Sequence, residues 1–217
     1  MLQQDTFQHK GLRKKLVDEI RDKGITDEHV LDAILRVPRH FFMESGFLKF
    51  AYSDQAFPIG AGQTISQPYT VARQSELLQV KAGEKILEIG TGSGYQASVL
   101  AVLGAKVFTI ERHRKLYEKT KPLLLNMGYT SVRCFFGDGF EGLPGLAPFN
   151  KILITAAVPE LPKKLLAQLS VGGKMVLPFG EEDNCDMVRI TKHGEGQYEE
   201  EVFEKFAFVP MLKGKVY

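Results

Sequence analysis

The chain has 217 residues, 44% of them hydrophobic, which suits one globular α/β domain with a sizeable core. Lys plus Arg is 28 and Asp plus Glu is 26, a net charge of +2, so no basic surplus points to nucleic acid and no block of like charge suggests a binding tail. No run approaches the ~20 apolar residues of a membrane span, and the N-terminal MLQQDTFQHKGLRKKLVDEI lacks the long apolar centre of a signal peptide. Cys134 and Cys185 form neither a CxxC nor a metal-ligand spacing with the five histidines. A cytoplasmic protein with reduced thiols, no metal and no membrane or nucleic-acid partner is expected.

Leu12, Leu16, Val17 and Ile20 recur at helical spacing and predict a helix over 7–22, stopped by Gly24. Thr26 is the expected cap of a second helix, with Asp27 and Glu28 favourable in its first turn and Val30, Leu31, Ile34 and Leu35 as its apolar face. Residues 51–66 read as irregular, and a helix follows Pro68. After that the chain alternates. Strand-like runs at 84–90, 106–111, 131–136, 151–156 and 173–178 are separated by helical patterns at 95–103, 113–127 and 161–169. This order predicts a doubly wound, mostly parallel sheet with helices on both faces. MVRITKHGEGQYEEEVFEKFAFVPM reads as two extended runs joined by a Gly-containing turn, an antiparallel hairpin completing the sheet. The expected organisation within the one domain is an N-terminal helical cap and active-site segment over 1–66, a cofactor-binding α/β core over 67–180, and C-terminal strands with a substrate-side segment over 181–217.

Two glycine-rich stretches compete for a ligand. LEIGTGSGYQA, 87–97, ends a strand and opens a helix, and it contains GxGxxA at Gly92, Gly94 and Ala97. Taken alone this is a dinucleotide fingerprint or a plain tight turn. Glu88, two positions before Gly90, is a poor neighbour for a pyrophosphate and a good one for an ammonium or sulfonium. The next strand ends in Glu111, 17 residues after Gly94, where a carboxylate accepts both ribose hydroxyls of NAD or S-adenosylmethionine alike. Asp138, in GDG at the third strand end, suits an adenine amino group or a turn. Three acids at three consecutive strand ends line one crevice.

LEIGTGSGYQ resembles the first motif of class I S-adenosylmethionine-dependent methyltransferases. With RVPRHFF, GQTISQPY, ITAAVPELP and LPFGEE, the chain is similar to the protein-L-isoaspartate O-methyltransferase family over nearly its whole length, from the N-terminal helices to FVPMLKG. The resemblance implies a seven-stranded Rossmann-like methyltransferase sheet with the family's variant order of its last strands. It implies methyl transfer from S-adenosylmethionine, leaving S-adenosylhomocysteine, to the free α-carboxyl of L-isoaspartyl residues in damaged proteins and peptides. A monomer is expected. Carried over by position, Ser66 is the active-site serine. Gln63, Thr64, Ile65 and Ser66 border the methionyl part of the cofactor together with Glu88, Gly90, Thr91, Gly92 and Gly94. Glu111, with Arg112 beside it, falls on the ribose, and Asp138 with Gly139 on the adenine. Ile59, Thr64, Ser66, Val209 and Pro210 fall on the acceptor side. Two departures are Asn150, where many members have Asp, and Ala207, where some bacterial members have Arg.

The residues suit this chemistry on their own terms. A carboxylate has a reference pKa of about 4 and is already ionised at neutral pH, so it needs no general base. None is evident: His40 stands beside two phenylalanines and reads as a structural or surface residue. Thr64 and Ser66, just before a Pro-led helix, supply neutral donors. Ser66 is expected to cap that helix as well, whose start would then serve as the anion site. The alternative retained is a class I methyltransferase with a small-molecule acceptor. A dinucleotide oxidoreductase and a non-catalytic cofactor-binding module fit Glu88 and GQTIS less well.

Overall fold

The computed structural model describes residues 4–182 and 184–217. Residues 1–3 of the expected N-terminal cap and residue 183 of the expected C-terminal part lie outside the described residues. The five β-strands of the alternating region form as the apolar runs predict: β3 (Lys85–Ile89), β4 (Lys106–Glu111), β5 (Val132–Phe136), β6 (Phe149–Ile154) and β7 (Leu169–Glu181). Between them lie α4 (Tyr95–Val102), α5 (Arg114–Asn126) and the short α6 (Lys163–Ala167). β8 (Asn184–Gly194) and β9 (Gln197–Phe206) complete a seven-stranded sheet of order β5-β4-β3-β6-β7-β8-β9. The first five strands pair in parallel and the last two antiparallel. The expected C-terminal hairpin is therefore present, and the last three strands run as a sequential meander with β9 at the edge. β7 extends beyond the expected 173–178, because its ladder with β8 continues in register from Lys174↔Thr191 to Glu181↔Asn184.

Strand alternation feeds two cores. Ile86, Val107 and Leu153 point to one face, beneath α4 and the N-terminal helices. Leu87, Ile89, Phe108, Ile110, Ile152 and Ile154 point to the other, with Leu165 and Leu166 of α6. The N-terminal cap consists of α1 (Phe7–Asp22) and α2 (Glu28–Arg36), and α3 (Pro68–Leu78) connects it to the sheet. Gly24, at φ +105, ends α1 in a Schellman motif: its N–H donates to Arg21 O at 2.9 Å, the Ile25 N–H reaches Ile20 O at 3.4 Å, and both isoleucines are buried.

Two expectations are corrected here. Thr26 does not cap α2. Asp27 does, its Oδ1 accepting from His29 N (2.9 Å) and Val30 N (3.3 Å). Adjacent Thr and Asp are both good caps, and the tertiary partner decides between them: Thr26 N, Thr26 Oγ1 and Asp27 N all donate to Glu76 Oε1 on α3. Nor are residues 51–66 irregular throughout. β1 (Phe57–Gly60) and β2 (Gln63–Ile65) form a small antiparallel hairpin pairing Phe57 with Ile65 and Pro58 with Thr64. Its two-residue turn, Ala61-Gly62, has φ +53 and +67, the positive values of a primed hairpin turn.

Burial alone would push the Glu76 carboxyl up, but the Thr26 and Asp27 N–H donors and the Arg73 guanidinium together hold it below the usual carboxylate range. A depressed folded value contributes stability above the unfolded value that is lost as pH falls through the folded one. Glu76→Ala is expected to cost about 1–3 kcal/mol at neutral pH. The gap to wild type should close as thermal melting is repeated from pH 7 down to pH values below the ordinary carboxylate range.

Candidate active site

A cleft of about 510 Å³ opens at the carboxyl ends of β3, β4 and β6. The sheet order reverses at β3, whose neighbours β4 and β6 connect over opposite faces, and this topology opens a crevice. One wall is the loop after β3. Gly90 sits at φ +96, and a Cβ there would lie 2.5 Å from Thr155 Oγ1, which itself donates to Ile89 O and Gly90 O. No other residue fits both the conformation and the space. The loop is tied to β4 by Glu111, whose Oε2 accepts from Gly92 N at 2.9 Å and whose Oε1 accepts from His113 N at 2.8 Å. A carboxylate offers about four acceptor sites. The two still open belong to a side chain that lines the cleft.

The first glycine stretch supplies the facing wall. Gln63, Thr64, Ile65 and Ser66 line the cleft, with Val209 and Pro210 from the C-terminal segment. That segment is held by Ala157 N to Val209 O and Met211 N to Ala157 O, both 2.8 Å. The Thr64 and Ser66 hydroxyls make no hydrogen bond among the described residues. Ile59 is buried behind this wall, its Cδ1 3.4 Å from where a Cβ on Gly92 would be. Thr91, Gly92, Arg112, Gly139 and Ala207 also line the cleft. Thr91 is buried, its hydroxyl 2.7 Å from that of Thr109. The Arg112 guanidinium is spent on the Lys213 and Gly214 carbonyls. Lys205, the other side chain here with a fixed positive charge, pairs with Asp186.

Besides Ile59, three of the named residues do not line the cleft. Gly94 opens α4 at φ +88, and a Cβ there would strike Thr120 Cγ2 at 2.8 Å, so its smallness serves packing against α5. Asp138 accepts from Phe140 N (2.9 Å) and from Gly214 N (2.7 Å) and lines a smaller neighbouring pocket. Gly139, beside it, does reach the cleft. Glu88 is wholly buried beneath the loop, on the face of Ile86. Neither of its carboxyl oxygens meets a hydrogen-bond partner among the described residues, and burial pushes the group up to about 8.

The expectation that Ser66 caps α3 is also corrected. Gln67 occupies the cap position, and the Tyr69 N–H of the first turn donates to Asp54 Oδ1 at 2.7 Å. A resident carboxylate, which the sequence reading passed over, therefore fills the helix start expected to serve as the anion site. His40 is buried, stacked on His9 with ring centroids 3.9 Å apart, its Nδ1 2.6 Å from Tyr52 Oη. Burial holds it down to about 4. Asn150, at the start of β6, accepts the Lys85 N–H at 2.9 Å, a bond an aspartate would make equally.

A doubly wound sheet with a glycine loop after its first strand and a carboxylate ending its second defines a class I methyltransferase fold. Residues 11–216 match the family described as protein-L-isoaspartate(D-aspartate) O-methyltransferase, and the chain belongs to that family. It is 53% identical to a protein-L-isoaspartate O-methyltransferase of Flavobacterium psychrophilum, covering 97% of this chain and 99% of the relative. It is 54% identical to one of Christiangramia forsetii with the same coverage. A solved protein-L-isoaspartate O-methyltransferase superposes with a TM-score of 0.83 at 27% identity, over 94% of this chain and 67% of that one. A Plasmodium falciparum relative, whose structure holds S-adenosyl-L-homocysteine, gives 0.79 at 25% identity, over 93% and 99%. Among the described residues no helix is long and apolar enough to cross a membrane.

The cleft fits S-adenosylmethionine: its volume is ordinary for a cofactor site, Gly90 leaves the backbone bare, and Glu111 lines it with acceptor sites still open.

An acid whose folded value is raised costs stability as pH rises from its unfolded value to its folded one, since only the unfolded chain readily releases the proton. For Glu88 that window runs from the ordinary carboxylate range to about 8. Glu88→Gln is expected to flatten the fall in melting temperature of the cofactor-free protein between pH 5 and pH 8. Parallel wild-type and variant curves across that window would refute the burial account.

Proposed function

We propose that this chain methylates the free α-carboxyl of L-isoaspartyl residues in damaged proteins and peptides, using S-adenosylmethionine, and that the ester begins repair through a succinimide. The observation that carries the reading is the meeting, in one cleft, of the cofactor loop at 90–92 and Glu111 with a neutral hydroxyl wall at Thr64 and Ser66. In this reading residues 67–180 hold the cofactor, while 1–66 and 181–217 build the acceptor side.

When bound, the cofactor supplies a methyl group on a sulfonium, ready for in-line displacement by an oxygen nucleophile. The protein's contribution is alignment and exclusion of water. Glu111 would hold the ribose and thereby fix the reacting end against Gln63–Ser66. Alignment of this kind contributes roughly 7–11 kcal/mol of barrier reduction. The acceptor arrives ionised, so no proton has to be removed. Ser66 and Thr64 would donate hydrogen bonds that orient it. A lysine or arginine in their place would stabilise the starting carboxylate more than the transition state, in which its charge is being lost. Val209 and Pro210 would face the isoaspartyl backbone, so recognition rests on the kinked main chain rather than on neighbouring side chains.

Labelled methyl from S-adenosylmethionine should pass to an isoaspartyl peptide and not to its aspartyl counterpart; equal labelling of both, or of neither, would sink the proposal. Ser66→Ala is expected to lower kcat roughly 10- to 100-fold, with cofactor affinity little changed. Glu111→Ala should chiefly weaken S-adenosylmethionine binding, by roughly 10- to 100-fold in a direct titration, for the loss of charge-assisted hydrogen bonds.

A further inference from the structure

Asp54 stands outside the cleft, yet it governs one wall of it. Its side chain is 2% exposed. Oδ1 accepts the Tyr69 N–H of the first turn of α3 at 2.7 Å. Oδ2 accepts from Gln67 Nε2 at 2.8 Å and from Lys23 Nζ, at the end of α1, at 2.6 Å. One buried carboxylate thus joins the helical cap, the residue directly after Ser66 and the start of the helix that follows. The turn carrying it is anchored in turn. Arg39, wholly buried, donates from Nη2 to Gln55 O at 3.2 Å, and its guanidinium lies 4.9 Å from the ring centroid of Tyr95, a cleft-lining residue of α4.

Without Asp54 the same place would present an ammonium left with Glu19 alone (2.6 Å), an amide N–H₂ and the positive end of a helix with no anion on it. Each attracts a carboxylate. Gln67 is covalently next to Ser66, so this group lies beside the point where the acceptor carboxylate is to be held. An acceptor drawn to it would be stabilised as a full anion and displaced from the line of transfer. Both effects slow a reaction in which that charge disappears.

We propose that Asp54 is a positioning residue for methyl transfer: it occupies the anion site at the start of α3 and fixes Gln67, so that the acceptor carboxylate is left to the neutral hydroxyls of Thr64 and Ser66. The inference rests on the function proposed above. It concerns a residue that touches neither acceptor nor cofactor and acts through its neighbours.

Asp54→Ala leaves a small cavity faced by three donors, and formate is the probe that fits it. Isoaspartyl-peptide methylation and S-adenosylmethionine binding are to be measured for wild type, Asp54→Ala and Asp54→Asn, each with and without sodium formate. In Asp54→Ala, kcat is expected to fall roughly 10- to 100-fold while the cofactor Kd stays within about twofold of wild type. Formate should recover several-fold of the lost kcat in this variant and none in wild type. Asp54→Asn fills the cavity but turns an amide N–H₂ toward donors, so it should be slow and insensitive to formate. Wild-type kcat in Asp54→Ala overturns the proposal, as does a loss of kcat that formate does not relieve, the pattern of a generally loosened fold. If Asp54→Ala does not fold, the near-isosteric Asp54→Asn decides, and an unchanged kcat there overturns the proposal. Failure of the wild type itself to methylate the isoaspartyl peptide would instead count against the function, and it shows before any variant is compared.

Discussion

The reversal of strand order at β3 is the constraint on which the rest of the structure depends. β3 pairs with β4 on one side and β6 on the other, and the connections leave over opposite faces of the sheet. The loop after β3 has no crossing helix above it, so its backbone stays accessible at the strand ends. Glu111 uses one oxygen to hold that loop and the other to hold the turn after β4. Its carboxylate is thus a structural tie, and its open acceptor sites are aimed by the same bonds. The facing wall, at 63–66, has no such sheet-borne support. It is a two-strand hairpin and a helix start, steadied from behind by the N-terminal cap.

Charge is distributed around the cleft with a consistent logic. The Thr64 and Ser66 hydroxyls that line the cleft are neutral, and two cations that line it are spent elsewhere, Arg112 on backbone carbonyls and Lys205 on Asp186. The negative groups divide by surroundings. Glu111 and Asp54 each accept from backbone N–H groups, whereas Glu88 is wholly buried and its oxygens meet no hydrogen-bond partner among the described residues. The three carboxylates therefore differ in character because of their neighbours.

Much of this was legible in the sequence because it is written in local patterns. The strand at 106–111 and the helix at 7–22 emerge from apolar periodicity alone, and the glycine loop from its place between a strand and a helix. What was not legible depends on partners distant in the chain. Asp27 outranks Thr26 as a cap because Glu76, some 50 residues on, claims the Thr26 N–H and hydroxyl. The hairpin at 57–65 has strands of only four and three residues, too short to show alternation, and its turn relies on Ala61 in a conformation usually left to glycine or asparagine. Asp54 gave no signal, since an aspartate between serine and glutamine in a loop is ordinary until the fold brings Tyr69 and Lys23 to it. The resemblance to a family located Asp138 and Gly94 near the cofactor; the geometry gives each a further occupation, one with the C-terminal tail and one with α5.

The edge position of β9 has a consequence for the company this protein keeps. An open edge of ten residues presents a row of backbone donors and acceptors, a template on which another extended chain can align. Here three consecutive glutamates, Glu199, Glu200 and Glu201, followed by Glu204 and Lys205, set charge along that edge. Charged edges resist annealing to a neighbour's backbone. For an enzyme whose substrates are aged chains with loosened main chain, such an edge separates a brief encounter with damaged protein from co-aggregation with it.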